Sequence, residues 1–154
     1  MLASVCVVLA VAVSNPDGLV SFENRLGVHA LKVADGEVLH SLDGGPFGSV
    51  NNETARWPRG GNRLSGVVAV AGCGFDGHNE VMVVAVDKDG GVWATARLPN
   101  GWLPWGSVST ELKFGGIAAG VNCSAHGRTR CVTIREADGT ETKCVRTGDG
   151  RWAK

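Results

Sequence analysis

The chain has 154 residues, of which 44% are hydrophobic, with 23 glycines, 5 prolines and 5 tryptophans. Its 15 basic and 15 acidic residues cancel, so no overall charge points to nucleic acid or to an anionic membrane surface. Glycine at this level disfavours long helices, at roughly 1 kcal/mol per helical position relative to Ala, and suits short strands joined by tight turns.

In chain order, residues 2–13 are apolar except for Ser4, a run too short to span a bilayer, which needs about 20 residues. Two readings stay open. The favoured one is a Val-rich buried strand. The other is the apolar core of a signal peptide, with Ala10-Val11-Ala12 as a small-residue cleavage pattern, although no Lys or Arg precedes Arg25. Residues 14–27 then read as an extra stretch inside the first unit. Residues 28–33, Ala34-Asp35-Gly36 and residues 37–42 form a strand, a turn and a strand, followed by Gly44-Gly45-Pro46-Phe47-Gly48-Ser49-Val50.

The middle unit is the clearest. Residues 67–71 form a strand, residues 74–80 a polar turn and residues 81–86 a second strand. Asp87-Lys88-Asp89-Gly90-Gly91 turns into a third strand at residues 92–97, Pro99-Asn100-Gly101 turns again, and residues 102–108 close the unit. The last unit keeps the order: residues 116–123, a turn, residues 130–136, Ala137-Asp138-Gly139, residues 140–146, and a close beginning at Gly148-Asp149-Gly150-Arg151-Trp152. Cys73 and Cys123 lie 50 positions apart, Asp89 and Asp138 lie 49 apart, and Trp105 and Trp152 lie 47 apart. Pro-aromatic-Gly-Ser-Val occurs at Pro46 and again 58 positions on at Pro104. Asp-Gly between alternating apolar runs is a strong hairpin signal, because a primed turn needs positive φ.

The expected fold is therefore all-β. It is a β-propeller-type repeat of antiparallel four-stranded blades, about three in number, with units near 1–62, 63–112 and 113–154 of a single propeller segment. One such sheet cannot bury its apolar face alone, so neighbours must stack.

Residues 80–93 followed by Asn100-Gly101-Trp102-Leu103-Pro104-Trp105 resemble a blade of the bacterial PLL-like and tectonin-like lectin propellers. The resemblance covers the middle unit well, the third fairly well, and the first through Asp35-Gly36 and Pro46-Phe47-Gly48. It implies a non-catalytic module that binds glycans in clefts between blades, and a secreted or extracellular setting. Two features depart from the family pattern. His40 and Lys143 stand near the place of Trp93, so the aromatic is not repeated, and three blades do not close a ring of the usual four to eight. A homodimer that completes the ring, or further blades in a longer chain, is the corresponding expectation. The alternative is a structural or protein-interaction segment of a larger, enzyme-linked protein.

A sugar site needs a flat apolar face and polar groups for hydroxyls. Trp93 and Trp102 are the expected faces, with Trp57 as a further one and Arg97, Glu80, Asn79 and Arg128 as polar partners; Trp105 and Trp152 read as blade-closing core. Asp87-Lys88-Asp89-Gly90 and residues 75–80 lack a full calcium-loop pattern and read as plain turns. No cysteine or histidine pair has zinc spacing, and neither metal nor cofactor is expected. The five cysteines read equally as buried thiols or as one or two disulfides, with a hairpin at Asp138-Gly139 bringing Cys131 and Cys144 roughly opposite. Catalytic motifs are missing: no Gly-x-Ser-x-Gly, no His-Glu-x-x-His, and histidines at 29, 40, 78 and 126 that look scattered.

Overall fold

The computed structural model describes residues 19–74, 80–112, 116–126, 129–146 and 151–154. Three antiparallel sheets follow one another. The first is ordered β1 (Val20–Asn24), β2 (Gly27–Ala34), β3 (Glu37–Leu42), β4 (Gly48–Ser49). The second is ordered β5 (Val67–Gly74), β6 (Val81–Asp87), β7 (Val92–Leu98), β8 (Gly101–Trp102), with β9 (Gly106–Ser107) also paired to β7. The third is ordered β10 (Ala118–His126), β11 (Thr129–Glu136), β12 (Glu141–Arg146), β13 (Trp152–Ala153). Short helices α1 (Val50–Thr54) and α2 (Val108–Glu111) follow β4 and β9. The fold is all-β, built of three blade-like sheets. No helix among the described residues is long and apolar enough to cross a membrane.

The hairpins form for local reasons. Ala34 faces Glu37 across a two-residue turn in which both Asp35 (φ 52) and Gly36 (φ 74) are left-handed, the primed geometry that matches strand twist. Asp89-Gly90 and Asp138-Gly139 sit in longer turns. Asp87 N–H donates to Gly91 O at 2.9 Å and Glu136 N–H to Thr140 O at 2.8 Å, leaving loops 88–90 and 137–139. In each of these only the glycine, Gly90 (φ 82) or Gly139 (φ 90), is left-handed.

Among the described residues the first sheet opens with β1, drawn from the stretch read as an insertion; the strand expected at residues 2–13 lies outside the described residues. The β1–β2 turn is made by Asn24, whose Oδ1 accepts the Leu26 N–H at 2.9 Å, and by Gly27 at φ 137. An Asn three residues before a Gly was the available signal.

Alternation along β6 divides the core in two. Val81, Val83 and Ala85 pack with Val20, Leu31 and Val38 of the first sheet. Met82, Val84 and Val86 pack with Cys123, Val132 and Ile134 of the third. A strand buried on both faces reads as a continuous apolar run, as residues 81–86 do. Close approach is needed at Gly72, where a Cβ would lie 2.5 Å from Phe22 Cε1 and 2.6 Å from Leu31 Cδ1.

The Trp105 indole lies in the first interface, 4% exposed, and its Nε1 donates to Asn51 Oδ1 at 3.1 Å. The same Asn51 oxygen accepts the Leu64 N–H at 2.8 Å, and its amide donates to Leu64 O at 2.7 Å. Trp105 is thus a structural residue, as its place at the blade close suggested.

A disulfide joins Cys73 of β5 to Cys123 of β10, with Cα atoms 5.6 Å apart. Cys131 and Cys144 are not opposite one another. The hairpin pairs Cys131 with Val145 and Val132 with Cys144, so the two sulfurs leave opposite faces of the sheet. Cys144 is a buried free thiol.

Candidate functional site

Between the first and second sheets lies a cleft of about 580 Å³, walled by β3, β4 and α1 on one side and by β7 and β8 on the other. Its polar and aromatic lining is His40, Ser49, Glu53, Arg97 and Trp102. Two of the residues expected from the sequence, Arg97 and Trp102, meet here because they are cross-strand partners in the β7–β8 ladder. The Arg97 guanidinium makes no hydrogen bond or ion pair to any described residue, although the residue is half-buried. Trp102 is only 6% exposed and belongs to the core of the interface, so it forms a wall of the cleft more than a free platform.

Behind this wall runs a chain of polar contacts. His40 meets the Trp102 ring edge-on, with centroids 5.4 Å apart and planes at 74°. His29 Nδ1 lies 2.9 Å from His40 Nε2, and His29 Nε2 lies 2.8 Å from Asn24 Oδ1. Phe22 stacks on His29 at 5.1 Å. The hydrogen bonds assign the tautomers. Asn24 Nδ2 donates to Glu80 O at 3.2 Å, so its Oδ1 is an acceptor and His29 Nε2 carries the proton. His29 Nδ1 is then bare, and His40 Nε2 must donate to it. That leaves His40 Nδ1 as a lone-pair acceptor in a residue that lines the cleft.

Burial is the main reason that His29 stays below its ordinary pKa, with Arg97 adding to the effect and Asp43 opposing it. His40 is pushed down to about 4, first by burial, then by His29 and Arg97. Both rings are neutral near pH 7, so the tautomer chain holds there.

His29 and His40 are therefore paired, where the sequence had them scattered. The signal was present in the hairpin itself. With Asp35-Gly36 as the turn, His40 faces Leu31, and His29 follows two residues away on the same face. The register also sets the counterparts of these residues in the second sheet. Leu39 pairs with Ser49 as Trp93 pairs with Ser107, so Leu39, not His40, holds the place of Trp93, and His40 holds that of Ala94. Leu31 pairs with His40 as Val84 pairs with Ala94, which puts Met82 in the place of His29. The polar chain belongs to the first interface alone among the two described.

The other expected site residues lie apart. Trp93 is on the same face as Arg97 but nearer the Asp87 turn, where its Nε1 donates to Asp87 Oδ2 at 2.9 Å; it does not line the cleft. Glu80 turns to the third sheet, its Oε2 accepting from Arg130 Nη2 at 3.1 Å. Asn79 and Arg128 lie outside the described residues. Trp152 pairs with Arg146 as Trp102 pairs with Arg97, so its counterpart is Trp102 and not Trp105. The Arg146 guanidinium lies 5.6 Å from the Trp152 ring centroid. Trp57, also expected as an aromatic face, lines an adjoining hollow of about 430 Å³ with Arg56, Arg59 and Asn100.

Among solved structures, the chain is similar to the BP39L lectin from Burkholderia pseudomallei, with a TM-score of 0.57 and 18% identity over 90% of this chain. The likeness is one of fold, to part of that lectin. The match spans 41% of the lectin's own length. No protein-family model matches the chain, and no curated protein sequence does.

Proposed function

We propose that the chain is a carbohydrate-binding module, non-catalytic, and that the cleft between its first two sheets holds the sugar. The observation that carries this is the pairing of an uncommitted Arg97 guanidinium with a tautomer-fixed His40 acceptor in one inter-blade cleft. A sugar hydroxyl is both donor and acceptor, and such a pair addresses both roles. The likeness of fold to a lectin supports the reading. So does the distribution of acids. Among the described residues, Glu53 is the one carboxylate of the cleft and Glu141 the one carboxylate of a hollow beside β1, β5 and β10, whereas glycoside hydrolysis uses a pair. A secreted or extracellular location, and completion of the ring by further blades or by a second copy, belong to the same proposal.

The test is a broad glycan array probed with folded protein, repeated with Arg97→Ala. Retention on sugars by the parent, with at least a tenfold weaker signal in the variant, is the expected result. A folded parent that binds nothing on the array sinks the proposal. Trp102→Ala is a poor probe, because emptying a buried indole site costs about 3–5 kcal/mol of stability by itself.

A further inference from the structure

The cleft and the adjoining hollow share Glu53, Gly101 and Trp102 as a common wall, so they make one groove of two compartments. Its charges are unequal. Arg97 stands in the first compartment, Arg56 and Arg59 in the second, against the single carboxylate of Glu53. Three cations less one anion leave the groove at +2, in a chain whose total is zero. Arg56 reaches Glu53 at 3.7 Å, but both side chains are largely exposed (76% and 48%), and such pairs bind weakly. Arg97 and Arg59 have no ion-pair or hydrogen-bond partner among the described residues.

We infer that the ligand is an acidic saccharide of at least two rings, whose carboxylate is held by Arg97 while a neighbouring ring lies against Trp57. The inference rests on the carbohydrate reading and deepens it. A guanidinium is a planar fork that matches a carboxylate with two parallel hydrogen bonds. In a half-buried cleft the attraction is screened less than at an open surface. A neutral sugar would leave that charge unanswered. His40, neutral and with Nδ1 bare, accepts from a hydroxyl of the same ring without adding a competing charge. Trp57 is half-buried and supplies an apolar face one compartment away.

The experiment prints acidic saccharides (hexuronates and sialylated oligomers) beside their carboxyl-reduced neutral counterparts, with sulfated oligomers as a third arm. Hits are followed by calorimetry at low and high salt. The expected result is at least tenfold tighter binding of the acid than of its reduced partner. That gap should close in Arg97→Gln and shrink with added salt. Reduced members bound as tightly as the acids overturn the inference and leave the carbohydrate reading standing. Binding confined to sulfated oligomers overturns the carboxylate assignment. An acid preference that survives Arg97→Gln overturns the role of Arg97. An array on which no saccharide of any kind is bound overturns the carbohydrate reading itself.

Discussion

Cys73 and Cys123 face each other because they stand in opposite phases of their strands. Cys73 pairs with Met82, which packs toward the third sheet, and Cys123 pairs with Val132, which packs toward the second. Their 50-residue spacing suggests equivalent repeat positions, but equivalent residues would point the same way around the array and could not bond.

Closing a loop of 50 residues restricts the unfolded chain by about 4 kcal/mol on the loop-entropy account. The double variant Cys73→Ala/Cys123→Ala is expected to lose about 2–4 kcal/mol in denaturant melts and to keep its affinity for ligand. Ligand binding that disappears in this variant while it remains folded would show that the first interface depends on the second.

Cys144 is the opposite case. It is 1% exposed, and burial raises its thiol pKa. Alkylation should label it only after unfolding, because the thiolate is the reactive form. Rapid labelling of the native protein, read by mass spectrometry, would contradict its burial.

Acid should weaken the first interface. The unfolded chain binds protons at its histidines as pH falls through 6.5, while His40 in the fold resists until about 4. Folding stability is therefore lost between those values, and His29 adds in the same direction. The window of Asp138, whose carboxyl is held below 3.8 by hydrogen bonds from Thr140, lies lower. Urea midpoints at pH 7 and pH 4.5 should differ less in His40→Gln than in the parent. In Arg97→Gln the His40 resonances should titrate at a higher pH, since a cation that depresses them has gone.

Asn51 and Trp105 share one hydrogen bond but differ in consequence. Trp105→Phe leaves the Asn51 oxygen still paired to Leu64 N–H and should cost about 1 kcal/mol for that bond. Asn51→Ala strands the Leu64 N–H, the Leu64 carbonyl and the Trp105 indole together, at about 1–3 kcal/mol each. Equal melting temperatures for the two variants would refute this ranking.

The hairpins were legible because Asp-Gly and Gly-Gly report local backbone needs that no distant residue alters. The double-sided burial of residues 81–86 was legible for the same reason of pattern. The site was less so. Arg97 and Trp102 could be named as polar and aromatic partners, but their meeting place depends on β3 and α1 of another sheet, about 50 residues away. Trp93 and Trp102 look alike in sequence; only the ladder separates one beside the Asp87 turn from one beside Arg97. Glu80 was drawn to Arg130, a partner 50 positions on. Phase within a strand, on which the cysteines and histidines turn, changes with a single residue and is invisible to spacing alone.

That sensitivity to phase divides the chain into places where length can change and places where it cannot. The loop at 137–139 is exposed throughout and can take in or shed residues with little effect on either interface, whereas 88–90 is tied down by the Lys88 N–H bond to Gly66 O and by Gly90 packed on Ile117. Losing one residue inside β6 would turn Val83 outward to where Met82 stood and exchange the neighbours of both sheets at once. Strand length in this molecule behaves as a reading frame, and the turns are its punctuation.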